Sequence, residues 1–174
     1  MKEQLKIAIS GKSGCGNTTV SQLVAETLGL RFINFTFRNL AVEKGMSLPE
    51  LLENARNDSH WDRELDNHQV SLARSSGGCV LGSRLAIWML PEADLKIYLR
   101  AAAETRVRRI VNREGGDFDT VAAVTAERDR QDRERYQRIY GIDNDEYEFA
   151  WVIDVDSINP KEITRQIVEK AASL

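Results

Sequence analysis

The sequence predicts an α/β fold, a five-stranded parallel sheet with helices on both faces. Three observations predict it. Short apolar runs alternate with segments of helical periodicity along the whole chain. The first apolar run opens into a glycine-rich turn and leaves as a helix. No repeat, low-complexity tract or linker interrupts the alternation. With 174 residues, 42% of them hydrophobic, the chain suffices for one packed core, so residues 1–174 read as a single domain.

Each element follows from its residues. Leu5 to Ile9 is short and isoleucine-rich, as a strand buried on both faces requires. Thr18 to Leu28 places Val20, Leu23, Val24 and Leu28 at helical spacing, and Gly29 stops it. Leu30 to Phe35 reads as a second strand. Arg38–Glu43 and Leu48–Asn54 read as two short helices parted by Gly45, with Pro49 in the first turn of the second. Asp58 opens a longer helix with Trp61, Leu65, His68 and Leu72 on one face, ending at Gly77 and Gly78. Cys79–Leu81 and Ala93–Leu99 are the third and fourth strands. Helices follow from Glu104 to Arg113 and from about Phe118 to Tyr140, with Gly115 and Gly116 between them. Ala150–Val155 is the fifth strand, and Pro160 starts the last helix.

Composition narrows the function. A net charge of -3 argues against a general nucleic-acid binder. The two cysteines, Cys15 and Cys79, cannot form a disulfide scaffold, and a reducing cytoplasm is the expected compartment. No signal peptide is read ahead of the first strand, and no apolar run reaches membrane-spanning length. His60 and His68 have no cysteine or histidine cluster around them that suggests a metal site. Trp61 and Trp151 fit core positions, whereas Trp88 suits either core or the wall of an acceptor pocket.

The chemistry is announced by Gly11-Lys12-Ser13-Gly14-Cys15-Gly16-Asn17-Thr18-Thr19. Glycines between a strand and a helix let successive N–H groups point inward, and the helix adds its positive end. The result is a P-loop, a cradle for the phosphates of ATP, with the Thr18 hydroxyl placed to coordinate Mg²⁺. The usual lysine before the threonine is replaced by Asn17, which donates hydrogen bonds but carries no charge. Lys12, five positions earlier, is the candidate replacement, as in the P-loop class that opens Lys-Gly-Gly and reaches a partner subunit's nucleotide. The alternative is a solvated lysine on the loop's outer arm. Cys15 lies near a helix N-terminus, where thiol pKa falls, or serves as a small filler.

More than half of the arginines fall between Arg100 and Arg138. Arg106, Arg108, Arg109 and Arg113 share one helix, Arg128, Arg130, Arg133, Arg135 and Arg138 the next, with Gly115-Gly116 as a hinge. Phosphoryl transfer needs cations around the moving group and exclusion of water, so the pair reads as a lid over residues 106–135, with Arg109 and Arg113 as catalytic candidates. Interleaved Glu127, Asp129, Asp132 and Glu134 also allow a solvated, ion-paired helix pair.

Several segments, in order, resemble cytidylate kinases of the compact archaeal type over nearly the whole chain. They are Phe37-Arg38-Asn39-Leu40-Ala41, Asp62-Arg63-Glu64-Leu65-Asp66, the strand Ala93–Leu99, Glu127–Tyr136, and Tyr140-Gly141-Ile142-Asp143. The resemblance implies a nucleoside monophosphate kinase fold with an acceptor-binding insert over about 36–74, and transfer of the ATP γ-phosphate to CMP or dCMP with Mg²⁺. It implies that Arg38 and Arg84 hold the acceptor phosphate and that Arg128, Asp132 and Arg135 contact ribose and cytosine. Small nucleotides are then the partners, and the state is a monomer or homodimer. Three departures stand out: Asn17, the absence of a carboxylate in Leu81-Gly82-Ser83-Arg84, and Asn34-Phe35-Thr36 in place of a Ser-x-Gly stretch. They keep three rivals open: a P-loop kinase with another acceptor, a non-catalytic nucleotide-binding regulator, and RNA binding through the arginine helices.

Overall fold

The structure is a computed structural model describing residues 4–75 and 77–174. Five parallel strands form one sheet in the order β2-β3-β1-β4-β5, comprising Lys6–Gly11 (β1), Arg31–Ile33 (β2), Cys79–Gly82 (β3), Leu95–Arg100 (β4) and Trp151–Asp154 (β5). Side chains alternate across it as strand geometry dictates. Ile7 and Ile9 enter the core beneath one face with Val80, Ile97 and Leu99, while Ala8 enters the other with Leu81 and Tyr98. Helices α1 (Asn17–Leu28) and α8 (Pro160–Ala172) cover the first face through Val20, Val24, Ile163 and Ile167. The short helix α5 (Ala86–Met89) covers the second, a turn of helix absent from the sequence-based reading.

Because β1 lies between β3 and β4, the chain leaves its carboxyl end where the connections diverge to opposite sides of the sheet. Open α/β sheets form their ligand crevice at that point. Between β2 and β3 the chain makes α2 (Phe37–Lys44), α3 (Leu48–Asn57) and α4 (His60–Arg74). They close over a small apolar cluster of Leu40, Ala41 and Leu51, with Phe35, Phe37, Trp61 and Leu65 against it. Phe35 therefore leaves the expected second strand, which is only three residues long. Asp58 ends α3 as its C-cap rather than beginning α4, and its carboxylate accepts the His60 N–H at 2.8 Å.

The buried face of α4 also differs from the expected one. Asp62, Gln69, Val70 and Ala73 are buried, whereas Leu72 is exposed. The physical reason is that α4 meets two surfaces: Val70 and Ala73 turn to the sheet, and Asp62 and Gln69 turn to a polar cleft. Between β4 and β5 lie α6 (Ala103–Glu114) and α7 (Phe118–Tyr140), packed side by side. Gly115 and Gly116 join them with positive φ of 80° and 103°, a conformation that favours glycine.

Candidate active site

The phosphate loop, α2, α4, the β3–α5 turn and α7 enclose a cleft of about 630 Å³. At its floor, Gly14 and Gly16 take φ of 85° and 83°. The Cys15 N–H turns back to the Lys12 carbonyl at 3.1 Å, and the N-cap of α1 is Gly16, which has no side chain to satisfy the first-turn amides. No acidic residue occupies that turn. Amides of an uncapped helix start, facing a cleft, form an anion site. A Cβ on Gly14 would sit 2.7 Å from the Arg106 carbonyl oxygen, so the loop depends on close approach to α6 as well as on curvature.

The nine loop residues have unequal parts. Gly11 to Gly14 and Gly16 to Thr19 line the cleft, but the Cys15 side chain points into the core. Burial pushes its thiol pKa up, against the lowering pull of Arg106, so the filler reading holds rather than the activated thiol. Thr18 and Thr19 are exposed at the cleft. The Asn17 amide oxygen accepts from the Ser21 hydroxyl at 3.2 Å, within its own helix. Lys12 lines the cleft but pairs with Asp145 at 2.6 Å. It is therefore anchored to the segment after α7 and is not a freely solvated lysine.

The arginines separate into those that face the cleft and those that build it. Arg38, Arg113 and Arg135 line the cleft, as does Arg84. Arg38 has no ion-pair partner among the described residues, whereas Arg113 pairs with Glu114 at 2.6 Å. Arg84 donates to Asp132 at 2.5 Å and to the Ser13 hydroxyl at 2.7 Å. The other Asp132 oxygen accepts from Arg135 at 3.0 Å, and Arg135 approaches Asp62 at 3.2 Å. A chain of alternating charge thus runs from α4 through α7 to the phosphate loop. Asp132, only 6% exposed, holds two guanidinium groups with its two oxygens, an arrangement that offsets its own desolvation.

Three candidates lie elsewhere than expected. Asp132 faces a small void beside Gly11 and Tyr98 instead of the cleft, so it orients arginines. Arg128 is exposed and outside the cleft lining. Arg109 also stays outside it, donating to the carbonyls of Gly14 at 3.4 Å and Val155 at 2.5 Å. Trp88 packs edge-on between buried Tyr98 and exposed Phe149 at the margin of the core beneath the second sheet face, not in the cleft wall. His68 stacks on Phe35 at 4.0 Å, and among the described residues no cluster of His, Cys, Asp or Glu is arranged to hold a metal ion.

The sequence reading missed two groups. Arg106, 6% exposed, donates to the Ser13 carbonyl at 3.2 Å and pairs with Asp129 at 2.6 Å, fastening α6 and α7 to the loop. A pair separated by 23 positions on two helices leaves no local signal. Asp62, Asp66 and Gln69 line the cleft from α4, and their i, i+4, i+7 spacing was a readable signal.

Comparison with known proteins gives this cleft its setting. The sequence pattern of the cytidylate kinase-like family matches residues 6–157. The chain belongs to the cytidylate kinase-like family. A member named cytidylate kinase 2, from Borreliella burgdorferi, is 51% identical over 164 residues, spanning 91% of each chain. The cytidylate kinase of Pyrococcus horikoshii is 40% identical over 92% of this chain and 84% of its own. Among solved structures, shikimate kinase from Bacteroides thetaiotaomicron superposes with a TM-score of 0.65 at 14% identity, covering 98% of this chain and 99% of its own. Deoxyadenosine kinase from M. mycoides with bound dATP gives 0.60 at 17%, covering 97% and 100%. At those identities the solved structures establish the P-loop kinase fold that this cytidylate kinase-like chain shares. The predicted fold class stands. Among the described residues no helix is long and apolar enough to cross a membrane.

Proposed function

We propose that the protein is a cytidylate kinase that moves the γ-phosphoryl group of ATP onto the phosphate of CMP or dCMP. One observation carries the reading: a single cleft joins an uncapped P-loop to three arginines, Arg38, Arg84 and Arg135. A donor triphosphate suits the first and an acceptor monophosphate the second. In this reading α2 to α4 form the acceptor-binding insert and α6–α7 the covering lid, all within one domain.

The acceptor supplies its own nucleophile. A phosphate monoester with a second pKa near 6 is mostly dianionic at neutral pH, so no general base is needed. The obstacle is repulsion between two polyanions. Arg84, fixed by Asp132 and Ser13, and Arg38, free of an ion pair among the described residues, neutralise the acceptor and aim it. The loop amides and the start of α1 hold the donor. Arg113, on the cleft wall beside the glycine hinge, takes charge that develops on the transferred group. Lys12, anchored by Asp145, adds a cation at the loop in place of the one Asn17 lacks.

The residues fit Mg²⁺. Thr18 presents its hydroxyl at the cleft, and Mg²⁺ binds through few protein groups when substrate phosphates supply the rest. Bound there, the ion screens phosphate charge.

The test is a coupled assay of ADP release with ATP, Mg²⁺ and a panel of acceptors: CMP, dCMP, UMP, AMP, GMP and shikimate. Preference for CMP or dCMP is expected. ADP release that no acceptor stimulates refutes the proposal.

A further inference from the structure

The α2–α4 side of the cleft is lined by apolar and polar side chains together. Phe37, Leu48, Leu52 and Leu65 are the apolar ones. Asp66 and Gln69, three positions apart on α4, are polar. A flat ring bearing hydrogen-bond donors suits that geometry, with its faces against hydrocarbon and its rim against the polar groups. The arginines assigned to the acceptor phosphate line the same cleft.

Asp66 is set up to accept one further hydrogen bond. Tyr140 donates its hydroxyl to Oδ2, and among the described residues no donor pairs with Oδ1. Asp66 and Tyr140, which meet here, are side chains that the phosphate chemistry leaves unused. Gln69 spends one amide N–H on the Phe35 carbonyl at 2.7 Å, which fixes the orientation of its side chain. Asp62 is committed to Arg135, so it cannot serve the same purpose.

We propose that Asp66, oriented by Tyr140 and flanked by Gln69, reads the exocyclic amine of the acceptor base and so sets cytosine over uracil. This rests on the cytidylate kinase reading above. A carboxylate oxygen accepts from the N4 amine of cytosine, whereas uracil presents the O4 acceptor at the same place. Acceptor facing acceptor leaves both desolvated and unpaired.

The test measures kcat/KM for CMP and for UMP with ATP and Mg²⁺ on three full-length proteins: unaltered, Asp66→Asn and Tyr140→Phe. The unaltered protein favours CMP by at least about 30-fold, from one well-placed pair. Asp66→Asn, whose amide can turn either atom to the base, brings the ratio to within about threefold. Tyr140→Phe lowers the ratio by about three- to tenfold, and it carries the test if Asp66→Asn fails to fold. An unchanged ratio in a folded Asp66→Asn protein overturns the assignment and leaves the kinase reading intact. If the unaltered protein phosphorylates neither nucleotide, the kinase reading itself fails.

Discussion

Arg84 donates to the hydroxyl of Ser13 at 2.7 Å, tying the β3–α5 turn directly to the phosphate loop. The guanidinium assigned to the acceptor phosphate is thereby positioned by the loop assigned to the donor. A displacement of either by 1 Å disturbs the line between the two phosphates, which matters when catalysis is chiefly positioning.

Asp132→Ala tests that positioning. It leaves Arg84 and Arg135 without their shared carboxylate, at a site where Asp132 is 6% exposed. We expect kcat/KM for CMP to fall by about 10²–10³ and stability to fall by about 3 kcal/mol. Steady-state kinetics and urea unfolding measure the two. Asp132→Asn, which keeps one acceptor oxygen, is expected to lie between.

Gly14→Ala addresses the loop itself. The residue has φ of 85°, and an added methyl carbon would stand 2.7 Å from the Arg106 carbonyl oxygen. Both terms oppose the native loop, so ATP affinity should drop at least about tenfold. Titration calorimetry with a non-hydrolysable ATP analogue checks this. Gly16→Ala meets no atom within 4 Å and is expected to do less harm, through its φ alone.

Arg109 and Arg113 should part company. Arg113 lines the cleft, and its alanine variant is expected to lower kcat by about 10–10² with little change in thermal stability. Arg109 braces the carbonyls of Gly14 and Val155, so Arg109→Ala should weaken ATP binding and lower Tm by a few degrees. Comparing kcat, KM for ATP and Tm of the two variants separates these roles.

The Asp66 carboxyl gives a pH signature. Burial pushes its pKa up to about 6, with Asp62 adding to the rise while the Tyr140 hydrogen bond and Arg135 oppose it. Its folded-state pKa thus lies above the unfolded value, so the native state holds this proton more tightly. The contribution to stability is favourable at low pH and is lost as pH rises toward 6. Asp66→Asn removes that loss, and its Tm relative to the unaltered protein should rise by roughly 2–6 °C at pH 8 and scarcely at pH 4. Calorimetric scans at the two pH values decide it.

The sheet and most helices were legible because their signals are local. Isoleucine-rich β1, the Gly29 stop and Pro160 each act within a few residues. The phosphate loop was legible for the same reason. The boundary of β2 and the buried face of α4 were not, because the cluster around Leu40 and Leu51 recruits Phe35, and the cleft recruits Asp62 and Gln69. Division of labour among the arginines was equally hidden. Arg106, Arg109 and Arg113 share one helix and one composition, yet what each touches is set by Asp129, Val155 and the open cleft. Only the fold brings those partners near.

The most direct measurement is titration calorimetry with a bisubstrate analogue, adenosine and cytidine joined through five phosphates, in the presence of Mg²⁺. If one cleft holds donor and acceptor together, the analogue binds one per chain, at least about 100-fold tighter than ATP or CMP, and excludes both. Affinity no better than that of ATP alone, with CMP still binding beside it, would contradict the account.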